Sequence, residues 1–200
     1  MTIDHFANKA GSYEQNKDRV DNVAQIANAM IAVVQLTKSM RIMDFGSGTG
    51  LLLERIAPYV GKITAVDVSK SMNAQLREKQ TRLGCEVEMI ELDLEQAPLK
   101  RKFDGIISSM TMHHIKDIPA MFDNFYSLLT DGGFIAVADL ESEDGTFHSE
   151  DTGVHHFGFN KDEIAKVASG AHFKNVAISR VSVVHKLQGN YPVFLLTAYR

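Results

Sequence analysis

Residues 40–53 read MRIMDFGSGTGLLL and set Asp44 two positions ahead of the first of three glycines, Gly46, Gly48 and Gly50. A glycine loop that opens a helix presents backbone N–H groups to a polar or anionic ligand. A dinucleotide pyrophosphate is one candidate, but a carboxylate so close to it would repel it. Two more acids, Asp67 and Asp93, close or follow the next apolar runs. Asp67 lies 17 residues beyond Gly50, where a carboxylate can accept both hydroxyls of a ribose. The three acids together imply a nucleoside. Histidine supplies the other chemistry: five of the eight, His113, His114, His148, His155 and His156, fall in two stretches. An imidazole titrates near neutrality and can take a proton from a hydroxyl, an amine or an acidic carbon.

These residues need elements to position them. Residues 19–36 repeat Val20, Val23, Ile26, Ala27, Met30, Ile31 and Val34, one apolar helical face. Strand-like runs follow at 40–45, 62–66, 86–90, 103–109, 133–139, 176–184 and 192–199, with helices expected at 50–58, 71–82, 117–130 and 160–169. Asn160 with Glu163 resembles a capping box, and Gly132 is expected to follow a helix end. The alternation predicts an α/β fold: a Rossmann-like, doubly wound, seven-stranded, mostly parallel sheet. The last two runs are joined by a short loop containing Gly189 and Asn190, so they should form an antiparallel hairpin. A single domain over 1–200 is expected, with 1–38 as an N-terminal helical cover and 140–159 as a lid loop over the active site. Ligands of such sheets bind beyond the carboxyl ends of the strands, where the acids and the histidine stretches fall.

Composition narrows the partners. The net charge is −4 with no long basic run, so no nucleic-acid partner is expected. The apolar runs are too short for a membrane span, and the polar N-terminus lacks a signal-peptide core. The one cysteine, Cys85, forms no internal disulfide, and a reducing cytoplasm is the expected setting. The oligomeric state is not legible.

In order along the chain stand MDFGSGTG (43–50), AVDVSKSM (65–72), LDLE (92–95), FDGIISSMTMHHI (103–115) and LLTDGGFIAVAD (128–139). With these motifs the sequence resembles the class I S-adenosylmethionine-dependent methyltransferases, over about residues 4–200. It looks closest to the small-molecule branch similar to the quinone-biosynthesis C-methyltransferases. The resemblance implies S-adenosyl-L-methionine as cofactor and S-adenosyl-L-homocysteine as product. The loop of Gly46, Ser47, Gly48 and Gly50 would face the carboxylate of the amino-acid end, while Asp44 attracts its ammonium. Asp67 would hold the ribose, Val68 and Met72 would line the adenine, and Asp93 with the Leu94 N–H would read its edge. Ser109 would lie beside the sulfonium. Tyr13 and the helix after Arg19 match the cover.

Methyl transfer from a sulfonium is an in-line displacement to which positioning contributes much of the rate. A base is needed only where the acceptor must lose a proton. His113 and His114 are the catalytic candidates; shaping the pocket is the competing role. Met112, His148, His155 and His156 are expected in the substrate pocket. A metal site from His148, His155, His156 and Asp139 or Asp151 has no compact ligand spacing behind it, and no metal is expected. The chain lacks the Asn/Asp-Pro-Pro-Tyr/Phe motif after the fourth strand, which leaves a small organic methyl acceptor with reacting O, N, S or C. A non-catalytic cofactor-binding or sensing protein of the same fold remains an alternative. A nicotinamide-dependent oxidoreductase fits less well, because Leu51 stands where G-x-G-x-x-G requires glycine.

Overall fold

A computed structural model describes residues 4–148, 150 and 152–200. A 3₁₀ turn, Ala10–Gln15, leads to Asn16, whose side chain accepts the Arg19 N–H at 2.9 Å and starts α1, Lys17–Val33. Then follow β1 (Arg41–Phe45), α2 (Leu51–Ile56), β2 (Lys62–Asp67), α3 (Lys70–Lys79), β3 (Glu86–Glu91), β4 (Phe103–Ser109), α4 (Ile118–Leu128), β5 (Leu129–Leu140), α5 (Lys161–Gly170), β6 (Lys174–Lys186) and β7 (Gly189–Tyr199).

The strands form one sheet in the order β3-β2-β1-β4-β5-β7-β6. Strands β1 to β5 run parallel, while β7 pairs antiparallel with both β5 and β6. This is the expected doubly wound architecture with its terminal hairpin. The alternation of β5 shows how the layers close. Phe134, Ala136, Ala138 and Leu140 enter the core beneath α1 and α2, whereas Ile135 and Val137 enter the core beneath α4 and α5. No helix among the described residues is long and apolar enough to cross a membrane.

Some boundaries differ from the sequence pattern. Helix α1 stops at Val33 because Val34 turns extended, so the apolar stripe outruns the helix. Helix α4 ends at Leu128, four residues before Gly132; that glycine takes its left-handed turn inside the lead-in to β5, not at a helix end. Asn160 caps α5 as expected, accepting N–H bonds from Asp162 at 2.9 Å and Glu163 at 3.2 Å.

Because β1 to β5 are parallel, their carboxyl ends share one edge, and the loops that carry the acids and histidines all leave from it. The long connection after β5 is tied at its base. Ser142 N–H donates to the Phe159 carbonyl at 3.1 Å, Glu143 N–H to Phe157 at 2.9 Å, and Phe159 N–H to Leu140 at 2.9 Å. Gly158 completes this closure with φ +70°, and a Cβ there would lie 2.2 Å from the Glu141 carbonyl oxygen. Replacing Gly158 by Ala should therefore cost at least the roughly 1–2 kcal/mol of a left-handed L-residue, with the fixed carbonyl adding to it. Urea unfolding should show a lower midpoint at unchanged slope.

Candidate active site

The glycine loop is shaped by its neighbours. Gly46 N–H donates to the Val66 carbonyl at 2.8 Å, which folds the loop back across the end of β2. Gly46 adopts φ +70°, and a side chain there would run into Thr111 at 2.2 Å. Gly48 N–H donates to Asp67 Oδ2 at 2.7 Å, and Ser69 N–H to Asp67 Oδ1 at 2.8 Å. Asp67 is thus aimed by both the glycine loop and the start of α3. Burial pushes its carboxyl up, and these backbone donors work against that rise.

Two cavities lie along this edge and share a wall. The smaller, about 210 Å³, is lined by Asp67, Val68, Met72, Asp93 and Leu94, the residues expected around ribose and adenine. Asp93 Oδ1 accepts the Glu95 N–H at 2.9 Å, so part of its carboxylate caps its own turn. The larger, about 290 Å³, is lined by Asp44, Gly46, Ser47, Gly48, Thr49 and Ser109, and on its far side by His113, His114, Phe147 and His148. Tyr13, Gly46, Gly48, Ser109, Met110 and His114 border both. Tyr13 lies beneath the Arg19 guanidinium, 3.9 Å from its ring centre, and Arg19 donates to the Tyr13 carbonyl at 2.6 Å.

Asp44 is buried, and burial, reinforced by the Asp67 charge, pushes its carboxyl up to about 8. Its Oδ2 has no protein hydrogen-bond partner. The same is true of the buried hydroxyls of Ser47, Thr49 and Ser109, which line the same cavity. Native interiors rarely leave such groups orphaned, so their concentration marks a surface built for a polar ligand.

The histidines divide. His113 and Asp139 are both fully buried, and His113 Nδ1 lies 2.7 Å from Asp139 Oδ1. Asp139 also accepts N–H bonds from His113 at 3.2 Å and Leu140 at 2.7 Å. Burial alone would raise the Asp139 carboxyl; pairing with His113 and these donors outweighs it and holds the group below its ordinary range. The other ring nitrogen of His113, Nε2, lies 3.3 Å from Nε2 of His148. His114 packs on His113 with ring centres 4.3 Å apart. Burial depresses His114 to about 4 and His148 to about 3, with the His113 charge next in weight, so both are neutral at pH 7.

Three expected pocket residues are not brought to either cavity. Met112 is fully buried in the core beside Phe122 and Phe125, and the pocket wall is formed by Met110, which projects from a backbone at φ 56°. His155 is exposed, and its N–H donates to the His113 carbonyl at 2.9 Å. His156 donates there too, at 3.1 Å, while its Nε2 lies 2.9 Å from the Ile115 carbonyl and its ring packs on Phe159. Both residues use their backbone to hold His113 and keep their rings away from the site. Asp151 lies outside the described residues. Conversely, Asp139 enters the site as the partner of His113 rather than as a metal-site carboxylate; an acid ending a strand, the signal that singles out Asp44, was its only mark. Phe6, Arg19, Lys186 and Thr152 join through long-range contacts that spacing does not reveal.

The fold is Rossmann-like, with two cavities at the carboxyl edge of its parallel strands. Residues 42–133 match the methyltransferase domain family. The chain is similar to an uncharacterized methyltransferase of Schizosaccharomyces pombe, 33% identical over 171 residues, which is 76% of this chain and 57% of the relative. It is also similar to the malonyl-[acyl-carrier protein] O-methyltransferase of Acetivibrio thermocellus, 30% identical over 66% of this chain and 46% of that one. The chain spans about half the length of the curated relatives it matches. Among solved structures, the DhpI-SAM-HEP complex shares the fold at TM-score 0.76 and 17% identity, covering 98% of this chain and 94% of that one. By sequence over residues 42–133, and by fold over nearly the whole chain, the similarity is to S-adenosylmethionine-dependent methyltransferases. The similarity reaches the class; the quinone-biosynthesis branch rests on the sequence motifs alone.

The raised carboxyl of Asp44 has a pH signature. The folded protein keeps this proton up to about pH 8, whereas the unfolded chain releases it near the ordinary aspartate value of 3.8. Between those values the native state binds more protons, so stability falls as pH rises, by at most about 1.4 kcal/mol per unit from this one group. Asp44→Asn removes the linkage. The variant's stability relative to wild type, measured by urea unfolding, should increase from pH 5 to pH 8.

Proposed function

We propose that the chain transfers the methyl group of S-adenosylmethionine to a small organic acceptor. The observation that carries this reading is the row of orphaned buried oxygens at Asp44, Ser47, Thr49 and Ser109 in the larger cavity, together with Asp67 in the smaller one beside it. When bound, the cofactor supplies an electrophilic methyl on a sulfonium, open to in-line attack, with S-adenosylhomocysteine as the product.

The residues divide the work. Asp44 meets the ammonium of the amino-acid end and gives up its proton on doing so, since a cation beside it removes the cause of its raised pKa. The N–H groups and hydroxyls of the glycine loop take the carboxylate, and Ser109 stands between the amino-acid end and the histidines. Asp67 keeps lone pairs free of its two backbone donors for the ribose hydroxyls. Val68, Met72, Asp93 and Leu94 hold the base. Phe6 and Tyr13 border both cavities and limit water entry above them.

The acceptor occupies the far side of the larger cavity. Its reacting atom faces the imidazoles of His113, His114 and His148, and His113 and His114 act on that atom. A cavity of about 290 Å³ that also takes the amino-acid end leaves room for a small acceptor only. A nucleic-acid partner is not part of this reading, and a cytoplasmic setting is.

Three measurements test it. Calorimetry should show S-adenosylhomocysteine binding and no binding of NAD. Asp67→Ala should weaken that binding at least roughly tenfold, through lost bonds to a charged acceptor of about 1.5–3 kcal/mol each, not additive. Labelled S-adenosylmethionine incubated with a metabolite extract should yield a methylated product, and His113→Gln should reduce that turnover by about 10²–10⁴-fold while cofactor affinity stays unchanged. Cofactor binding without turnover in any extract would leave a sensing protein; no cofactor binding would overturn the reading altogether.

A further inference from the structure

His113, His114 and His148 come from two segments about 35 residues apart, yet one nitrogen of each lies within 4.8 Å of the others. The partners of the outward nitrogens decide what the inward ones are for. His113 Nδ1 meets Asp139 Oδ1 at 2.7 Å, His148 Nδ1 meets Thr152 Oγ1 at 3.1 Å, and His114 Nδ1 meets the Gly153 carbonyl at 3.4 Å. Each ring can therefore donate its Nδ1 proton to an oxygen outside the cluster. With the proton on Nδ1 of each ring, every Nε2 is left with a lone pair. Metal-ligating histidines are held in this way, with the second nitrogen donating to a carboxylate, a carbonyl or a hydroxyl.

The spacing agrees. A tetrahedral ion with metal–nitrogen bonds of about 2.0–2.1 Å places its ligand nitrogens about 3.3–3.4 Å apart. Nε2 of His113 and Nε2 of His148 are 3.3 Å apart. If both carry lone pairs, nothing but a shared cation makes that approach favourable. A proton on His113 Nε2 would leave its Nδ1 bare against the Asp139 carboxylate, whereas a proton on His148 Nε2 requires the Thr152 hydroxyl to donate to His148 Nδ1. A rotation of His114 completes the third side. All three residues line the larger cavity, which leaves a fourth coordination position open to it.

We propose that Nε2 of His113, His114 and His148 bind one divalent first-row metal ion of the zinc class, with its open position directed at the methyl acceptor. Three nitrogen ligands and an open fourth site are the pattern of catalytic rather than structural zinc. The consequence for chemistry rests on the function proposed above. An acceptor bearing a hydroxyl or thiol binds the ion through that atom, and its O–H or S–H proton leaves to solvent because the bound anion is stabilised. The acceptor class is then an alcohol, phenol or thiol able to ligate a metal, and His113 acts through the ion rather than as a free base. Asp139 and Thr152 are positioning residues for the ligands.

The test uses the full chain, free of any histidine tag, stripped with a chelator and titrated with Co²⁺ and Zn²⁺. One ion per chain should bind, with the visible absorption of tetrahedral cobalt that zinc displaces. His114→Gln and His148→Gln should each weaken binding by more than about 100-fold, Asp139→Asn by about 10–100-fold, and the outlying His172→Gln not at all. His148 lies on a loop, so its variant keeps the test open if Asp139→Asn fails to fold. Absence of saturable binding, or binding indifferent to His114→Gln and His148→Gln, overturns the site. Stoichiometric binding with equal turnover by stripped and loaded protein overturns the acceptor role and leaves the methyltransferase reading standing. Stoichiometric binding to a protein that neither binds S-adenosylhomocysteine nor turns over supports the site and defeats the methyltransferase reading.

Discussion

The fully buried carboxylate of Asp139 organises the carboxyl edge of the sheet. A charge with no access to water has to be met by donors, and Asp139 draws them from two directions. Its own strand end supplies the Leu140 N–H, and the loop after β4 supplies both the N–H and the ring of His113. The His113 carbonyl is in turn the acceptor for His155 and His156 N–H groups, so the long loop after β5 is pinned to the loop after β4. One carboxylate thus fixes the imidazole cluster from below and the loop above it. Moving Asp139 by a register step would release all of these contacts together.

Asp67 and Asp44, at the same edge, differ from Asp139 in how they are partnered. Asp67 is half-buried and receives two backbone N–H groups, so its carboxyl is aimed before any ligand arrives. Asp44 is buried with one oxygen orphaned and Asp67 nearby, and it holds its proton instead. A site that binds a cation has reason to keep such a group. In the proposed function an ammonium supplies the missing partner, and ligand binding is coupled to proton release.

The two cavities share a wall of Tyr13, Gly46, Ser109, Met110 and His114, which in the proposed function divides recognition from chemistry. On one side the residues are suited to a nucleoside. On the other the surface is three imidazoles and an aromatic ring. Lys9 reaches across to Glu150 at 2.7 Å, so the N-terminal segment and the long loop close over the same opening from opposite sides. Lys186 of β6 adds its ammonium over the Phe147 ring at 3.6 Å and donates to the Phe147 carbonyl, which ties the hairpin to that loop.

By itself the sequence determined the alternation of strands and helices, the antiparallel end of the sheet, and the glycine loop with Asp44 and Asp67 at adjacent strand ends. Those features are local: a helical stripe, a short apolar run or a turn residue is written in neighbouring positions, and parallel strands then bring every carboxyl end to one edge. Val68, Met72, Asp93 and Leu94 were legible for the same reason, since each sits within a few residues of a strand end. What decided the histidines was tertiary. His148 and His155 are both polar loop residues seven positions apart, and nothing local tells them apart. The pinning of the loop to His113 turns one ring into the cluster and leaves the other exposed. Met110 and Met112 differ by a single left-handed backbone residue, which points Met110 at the cavity and sends Met112 into the core. The pairing of His113 with Asp139 and the meeting of three imidazoles depend on contacts between loops remote in sequence. Periodicity carries no record of such contacts, because they are fixed by the closure of a particular sheet edge rather than by any repeat along the chain.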